Sequence, residues 1–299
     1  MSPHQLGHAV LIVNAGSRSG LDVLAEASER LASAGLALAQ VHDVRDLATL
    51  PGVLDHAVAT AGLIVLAGGD GTLSSAADRM SQTGVVLGVL PTGTANDFAR
   101  TLRLPTGIAA ACDVIVNGRP QDVDLGTIGG DRFLNVASAG LAAGVTRALS
   151  PRLKRYLGPV AYPVAAAQAY VRHHPFSAQL EFPDGDHEPV ELTDLLQVAV
   201  ANGRFYGGGA VAAPNAGIDD HLLDVYAIPR GTAWQRLQVG RHFVSGAFTE
   251  QDHVFHVTTR AVRLSTEPEL AINVDGEIGH RSPQSFGIIP GGLRVMVPA

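Results

Sequence analysis

The sequence predicts a doubly wound α/β domain at the N-terminus, followed by a mostly antiparallel β domain. Three observations predict it. Continuous apolar runs at residues 9–13, 63–67 and 85–90 have the length and composition of strands buried on both faces. Helical periodicity separates them, and a small-residue polar loop follows each. Beyond about Asp122 the pattern changes to short strands and hairpin turns.

In chain order, residues 9–13 form a first strand, and Asn14-Ala15-Gly16-Ser17-Arg18-Ser19-Gly20 is a polar loop after it. Leu21, Leu24, Ser28 and Leu31 share one helical face that ends near Gly35. Residues 36–41 form a second strand and 54–59 a weaker helix. The third strand, 63–67, runs into Gly68-Gly69-Asp70-Gly71-Thr72 and a helix start. The glycines there permit positive φ and close approach to a ligand. Thr72 or a neighbour can cap the helix, whose free N–H groups form an anion site. Asp70 would repel a phosphate unless a cation lies between them or the side chain only ties down the loop. The fourth strand, 85–90, leads into Pro91-Thr92-Gly93-Thr94-Ala95-Asn96-Asp97. In a doubly wound sheet these loops share one crevice beyond the carboxyl ends of the strands. Thr94 can give its hydroxyl to a phosphate, and Asn96 and Asp97 can cap the next turn or shape the loop.

The second half reads as strands at 123–128 and 133–137 around a Gly129-Gly130-Asp131 turn, and a helical segment between Tyr156 and Tyr170. Further strands follow at 177–182, 195–202, 222–228, 253–258, 262–265, 270–274 and 293–297. The expected boundaries are 1–126 for the first domain and 127–289 for the second. Residues 290–299 are expected to return to the first.

Composition narrows the chemistry. The chain has 299 residues, 46% of them apolar, which fits a folded protein with a sizeable core. A net charge of −7 argues against wholesale nucleic-acid binding. Lys154 is the only lysine, and no GK[ST] occurs, so phosphate chemistry must use backbone N–H groups, arginine or a metal. Cys112 is the only cysteine, which excludes an intrachain disulfide and a thiolate zinc site. No apolar run approaches a membrane span and the N-terminus lacks a signal-peptide pattern, so the expected location is the cytoplasm.

Two more stretches hold candidate groups. Pro214-Asn215-Ala216-Gly217-Ile218-Asp219-Asp220-His221-Leu222-Leu223-Asp224 is either a solvated acidic turn or a site for magnesium, a hard cation suited to carboxylates and carbonyls. Asn273-Val274-Asp275-Gly276-Glu277 is a hairpin turn by pattern. It is functional only if the Asp faces a cleft and takes a proton from a hydroxyl. Arg147, Arg152, Lys154 and Arg155, around Leu153, Tyr156 and Leu157, form the densest basic segment. It is either a solvated helix face or a patch for anionic lipid.

Taken together and in order, Gly68 to Thr72, Pro91 to Asp97, Val123-Asp124-Leu125-Gly126, Ala201-Asn202-Gly203-Arg204-Phe205-Tyr206, Asp219 to Asp224 and Val274 to Glu277 closely resemble the diacylglycerol kinase catalytic family. The resemblance implies a nucleotide domain like that of phosphofructokinase and NAD kinase, a C-terminal β-sandwich, and an active site between them. It implies ATP and Mg²⁺ as cofactors, a lipid alcohol as acceptor, transient contact with a membrane surface, and a homodimer as one assembly. Position by position, it implies Asp275 as general base, with Glu277 in the same motif. It places ATP against Asn14, Gly68, Gly69, Asp70, Gly71, Thr72, Leu73, Thr94, Asn96 and Asp97. It places magnesium at Asp220 with the carbonyls of Gly217 and Leu222, with Asp124 and Asp219 as secondary candidates.

The chain departs from the family at three places. His221 stands where a glycine is usual, Ala15 where a proline is, and Val41-His42-Asp43 where many members carry a nucleotide-contacting threonine. Two other readings accompany the lipid kinase. One is a kinase of NAD or a sugar phosphate, which shares the glycine-aspartate loop. The other is a catalytically silent protein that binds nucleotide or lipid.

Overall fold

The computed structural model describes residues 7–15, 20–148, 161–206, 208–211, 216–232, 235, 251 and 253–299. The N-terminal unit is a parallel sheet with strands β1 (Ala9–Asn14), β2 (Leu38–Val44), β3 (Leu63–Gly68) and β4 (Val86–Pro91). Their order is β4-β3-β1-β2. β1, β3 and β4 are apolar throughout because both faces are covered. Helices α1 (Gly20–Ser33) and α5 (Ile108–Asn117) close one face around Leu11, Leu31, Val65 and Ile115. Helices α2 (Leu50–Thr60) and α3 (Asp70–Met80) close the other around Ile12, Leu54, Leu66 and Leu73. β2 alternates between exposed and half-buried positions, as an edge strand does, so it sits two to three residues later than the sequence suggested. The short α4 (Asp97–Thr101) follows β4.

The second unit is antiparallel. One layer holds β5 (Arg119–Ile128), β6 (Asp131–Phe133), β8 (Phe176–Glu181), β14 (Ala261–Glu267) and β17 (Gln284–Val297). The other holds β7 (Val136–Gly140), β12 (Leu223–Pro229), β13 (Phe255–Thr259), β15 (Ala271–Val274) and β16 (Glu277–Arg281). β9 (Val190–Ala201) belongs to both. Its first half pairs with β8 and its second with β7 and β12, and Asp194 makes the corner at φ +54°. The inner faces enclose Phe133, Leu180, Val198, Val225, Leu264 and Phe286, so the unit is a sandwich joined at one corner. Helices α6 (Leu141–Ala148) and α7 (Ala161–Arg172) pack together beside it. The two short strands β10 (Phe205–Tyr206) and β11 (Ala210–Val211) form a separate hairpin. Of the basic segment, only Arg147 is described; Arg152 to Leu157 lie outside the described residues.

β5 and β17 connect the units. They pair antiparallel from Phe286–Ile128 in the sandwich to Val297–Arg119 in the α/β unit, and Arg294 and Val295 pair parallel with Val86 and Leu87 of β4. The register slips between Ile289 and Leu293, where Gly291 takes φ +57°. The kink turns one ladder from the first domain into the second. Among the described residues, no helix is long and apolar enough to cross a membrane.

Candidate functional site

The crevice begins where β3 and β4 end. Gly69 is the N-cap of α3 and no side chain caps that helix. The expected capping by Thr72 is not found. Thr72 is buried at the third helical position, where its Oγ1 accepts a hydrogen bond from Asn14 Nδ2 at 3.1 Å. The first N–H groups of α3 therefore remain available to an anion.

The glycines also act differently from the expectation. None of Gly68, Gly69 and Gly71 has positive φ. Gly68 and Gly69 are small because other atoms press on them, whereas a methyl at Gly71 would meet only Glu277 Oε1 at 3.8 Å. A methyl on Gly68 would meet Thr72 Cβ at 2.5 Å, and one on Gly93 would meet the Gly69 Cα at 2.5 Å. The two loops cross backbone on backbone. Asn96 fixes the second loop from a left-handed conformation, φ +52°. Its side-chain oxygen accepts from Gly93 N and its amide donates to Gly93 O, each at 2.9 Å. Thr94 stands exposed at the tip.

Asp70 resolves the puzzle of a carboxylate in a phosphate loop in part. Its Oδ1 accepts the N–H of Phe98 at 3.0 Å, so it ties the first loop to α4. Asp97 is buried, and its Oδ2 accepts the N–H of Gly208 at 2.9 Å, which ties α4 to the second unit. Its Oδ1 has no partner among the described residues. Burial pushes the Asp97 carboxyl above the usual range. Hydrogen bonds from Gly208 and Gly209 oppose this, and nearby Asp70 adds to it.

A pH-dependent stability follows. The folded-state pKa of Asp97 exceeds its unfolded one, so this group favours folding at low pH and disfavours it once ionised. Asp97→Asn keeps an acceptor for Gly208 and removes the buried charge. Its apparent Tm is expected to exceed the wild-type value at neutral pH, and the gap to close as pH falls through the raised Asp97 pKa. Thermal melts from pH 4 to 8 check this; a gap independent of pH contradicts it.

Asp275 faces the same crevice from the second unit. Asp275 and Gly276 have φ of +48° and +97° in the turn between β15 and β16, as a two-residue hairpin requires. The hairpin and functional readings of this pair are thus compatible. The Asp275 carboxylate turns inward and accepts four hydrogen bonds. Asn135 N and Val136 N bind Oδ1 at 2.9 and 3.1 Å, and Leu134 N binds Oδ2 at 2.7 Å. Ser74 Oγ, on α3, donates to Oδ2 at 3.3 Å. The residue is partly exposed at the turn while its carboxylate is enclosed. Enclosure raises its pKa, the three backbone N–H groups pull it down, and Asp70 pushes it up again; the net direction is upward. Glu277 is exposed, and its Oε1 would lie 3.8 Å from a methyl at Gly71. The hairpin tip and the start of α3 thus face one another.

The acidic turn is a separate feature. Asp124, fully buried at the β5–β17 kink, accepts from His221 N at 2.7 Å and Gly291 N at 2.8 Å, and pairs with the His221 ring at 3.0 Å. His221 has φ +63°, which explains why glycine suits the position. Here the contact between ring and carboxylate offsets the strain. Asp220 accepts from Gly217 N at 2.9 Å and Leu222 N at 3.0 Å. Burial raises its pKa, those two N–H groups lower it, and Asp224 and Asp124 raise it. Asp219 turns away and accepts from Gln121 Nε2 at 3.1 Å. Among the described residues, no three acidic, histidine or cysteine side chains converge to hold a metal. The turn itself offers one carboxylate, each oxygen with a spare lone pair, beside main-chain carbonyls. That all-oxygen set fits a hard cation.

The contacts of Ser74, Asn135 and Gly208 are absent from the sequence expectations. No motif signals them, because two are main-chain contacts and the third spans 201 residues.

Comparison with known proteins agrees with this arrangement. Residues 8–128 match the diacylglycerol kinase catalytic domain, and residues 135–297 match the YegS C-terminal NAD kinase beta sandwich-like domain. A protein of Chromohalobacter salexigens named "Probable lipid kinase YegS-like" is 33% identical over 79% of this chain and 76% of its own length. The diacylglycerol kinase of Bacillus subtilis is 28% identical over 79% of this chain and 78% of its own. A crystal structure of a "putative diacylglycerol kinase" from Bacillus anthracis superposes with a TM-score of 0.81 at 25% identity, covering 97% of this chain and 95% of that one. Loops, sandwich and relatives together show that this chain belongs to the diacylglycerol kinase and YegS family of lipid kinases.

Proposed function

We propose that the protein transfers the γ-phosphoryl group of ATP, with magnesium, to a hydroxyl of diacylglycerol or a related lipid. The observation that carries this reading is the Asp275 carboxylate, held across the crevice from the uncapped start of α3. Phosphoryl transfer depends on positioning and charge stabilisation more than on covalent chemistry by the protein. In this reading the phosphates rest on the N–H groups of α3 and on the crossing of Gly69 and Gly93, and Thr94 donates its hydroxyl. The acceptor hydroxyl gives its proton to Asp275 Oδ2. Ser74, the longest of the four contacts, can rotate to make room. A carboxylate with a raised pKa takes that proton more readily. Glu277 orients the hairpin against Gly71.

Magnesium, when bound, supplies positive charge against the phosphates and the crowded carboxylates. Asp220, with the carbonyls of Gly217 and Leu222, would hold one ion, and Asp70 would hold the ion that accompanies the nucleotide. The lipid acceptor implies a cytoplasmic protein that visits the inner face of the membrane.

The test uses full-length protein, radiolabelled ATP, magnesium and mixed micelles of diacylglycerol, with sphingosine, NAD and fructose 6-phosphate as competing acceptors. The expected product is labelled lipid, and EDTA is expected to abolish it. Comparable turnover of NAD or the sugar phosphate would replace the reading with a kinase of a soluble substrate. Nucleotide binding without transfer to any acceptor would replace it with a regulator.

A further inference from the structure

We propose that a groove between α4, the start of β5 and β10 binds a phosphate group, apart from the nucleotide crevice. The groove has a volume of about 540 Å³, and Arg100, Arg103, Arg119 and Arg204 line it. It shares no lining residue with the loops at Gly68 and Gly93. The guanidinium carbons of Arg100 and Arg204 each lie 5.7 Å from the centre of the Phe205 ring. A guanidinium resting on an aromatic face leaves its N–H edge free for a two-point contact with an oxyanion.

Two observations bear on these arginines. Six others in the described chain pair with a carboxylate. The four in the groove have no such ion pair among the described residues, which is also true of Arg172, Arg263 and Arg281, but these four gather on one groove. Asp219 is the one acidic side chain on the lining, and Gln121 holds it. In addition, Arg103 adopts φ +56° just after α4, where its N–H closes the helix on Arg100 O. Glycine suits that conformation best, and the Cβ of any other residue adds strain. A strained residue whose charged end reaches a groove is an outlier that points to use.

The groove draws Arg100 and Arg103 from the first domain and Arg204 from the second. A phosphate bridging them would tie the domains together beside the catalytic crevice. The shared chemistry is a phosphate group, either free or in the headgroup of an anionic phospholipid.

The experiment fills the crevice of the full-length protein with a non-hydrolysable ATP analogue. Inorganic pyrophosphate is then titrated calorimetrically, and binding to phosphatidylglycerol vesicles is compared with phosphatidylcholine vesicles by sedimentation. The variant is Arg103→Gly with Arg204→Gln. Glycine relieves the backbone at position 103, so the melting temperature should stay level or rise. Affinity in the arm that binds is expected to fall at least about tenfold, because charge-assisted contacts are lost. Pyrophosphate binding identifies a free phosphate ligand, and binding to phosphatidylglycerol alone identifies the headgroup. Wild-type protein that binds neither probe, or a variant that binds as wild type does, overturns the proposal.

Discussion

Replacing Asp275 with Asn is expected to lower the rate of phosphoryl transfer by about 10²- to 10⁴-fold, the usual contribution of a positioned general base. The carboxylate accepts four hydrogen bonds, from three backbone N–H groups and one hydroxyl. An Asn side chain offers one oxygen in place of two. Its NH₂ must face either Leu134 N or the pair Asn135 N and Val136 N, which sets donor against donor. That mismatch costs roughly 1–3 kcal/mol of stability. The variant therefore needs two further readouts, a melting curve and the affinity for an ATP analogue. A lower melting temperature, near-normal nucleotide affinity and lost turnover are expected. Ser74→Ala leaves the backbone cradle intact, so its effect on turnover should be much smaller than that of Asp275→Asn. Full turnover in Asp275→Asn would remove Asp275 as the base.

Gly93→Ala is expected to disable nucleotide binding while the sandwich persists. The added methyl would stand 2.5 Å from the Gly69 Cα and 2.7 Å from Asn96 Oδ1. Backbone cannot swing aside as the end of a flexible side chain can, so the loops must separate. Overpacking of this kind costs on the order of 1–3 kcal/mol. Carried into the bound geometry, that becomes roughly a 5- to 150-fold loss of affinity. Gly52→Ala is the control, because a methyl there meets no atom within 4 Å. Equal nucleotide affinity in both variants would show that the crossing does not shape the site.

The strands of the first sheet and its class were legible because local signals agree. Apolar strands, small-residue loops and amphipathic helices each occupy a short window. Helix α5 was not read, because Ile108-Ala109-Ala110-Ala111-Cys112-Asp113-Val114-Ile115-Val116-Asn117 mixes alanine with β-branched residues and carries no strong cap. Motif order named residues that the fold brings to one crevice, but the contacts that hold them there were not legible. Asp124 reads as a polar residue near a junction. In the fold it pins both the acidic turn and the β17 kink, with partners 97 and 167 residues away. Asp70 reads either as a cation partner or as a loop tie, and its shown contact, to Phe98 28 residues on, is a tie whose partner the sequence does not name. Long-range contacts to main-chain N–H groups leave no trace in residue type. The same limit hid why His221 replaces a glycine, since its left-handed backbone and its ring contact exist only in three dimensions.

Delivery of phosphate to a lipid hydroxyl at Asp275 is decided by mass spectrometry of lipids extracted with the purified protein, before and after ATP and magnesium are added. A co-purified lipid alcohol is expected to gain one phosphoryl group with wild-type protein and none with Asp275→Asn. Lipids that stay unmodified while ATP is consumed to phosphorylate a soluble acceptor would contradict it.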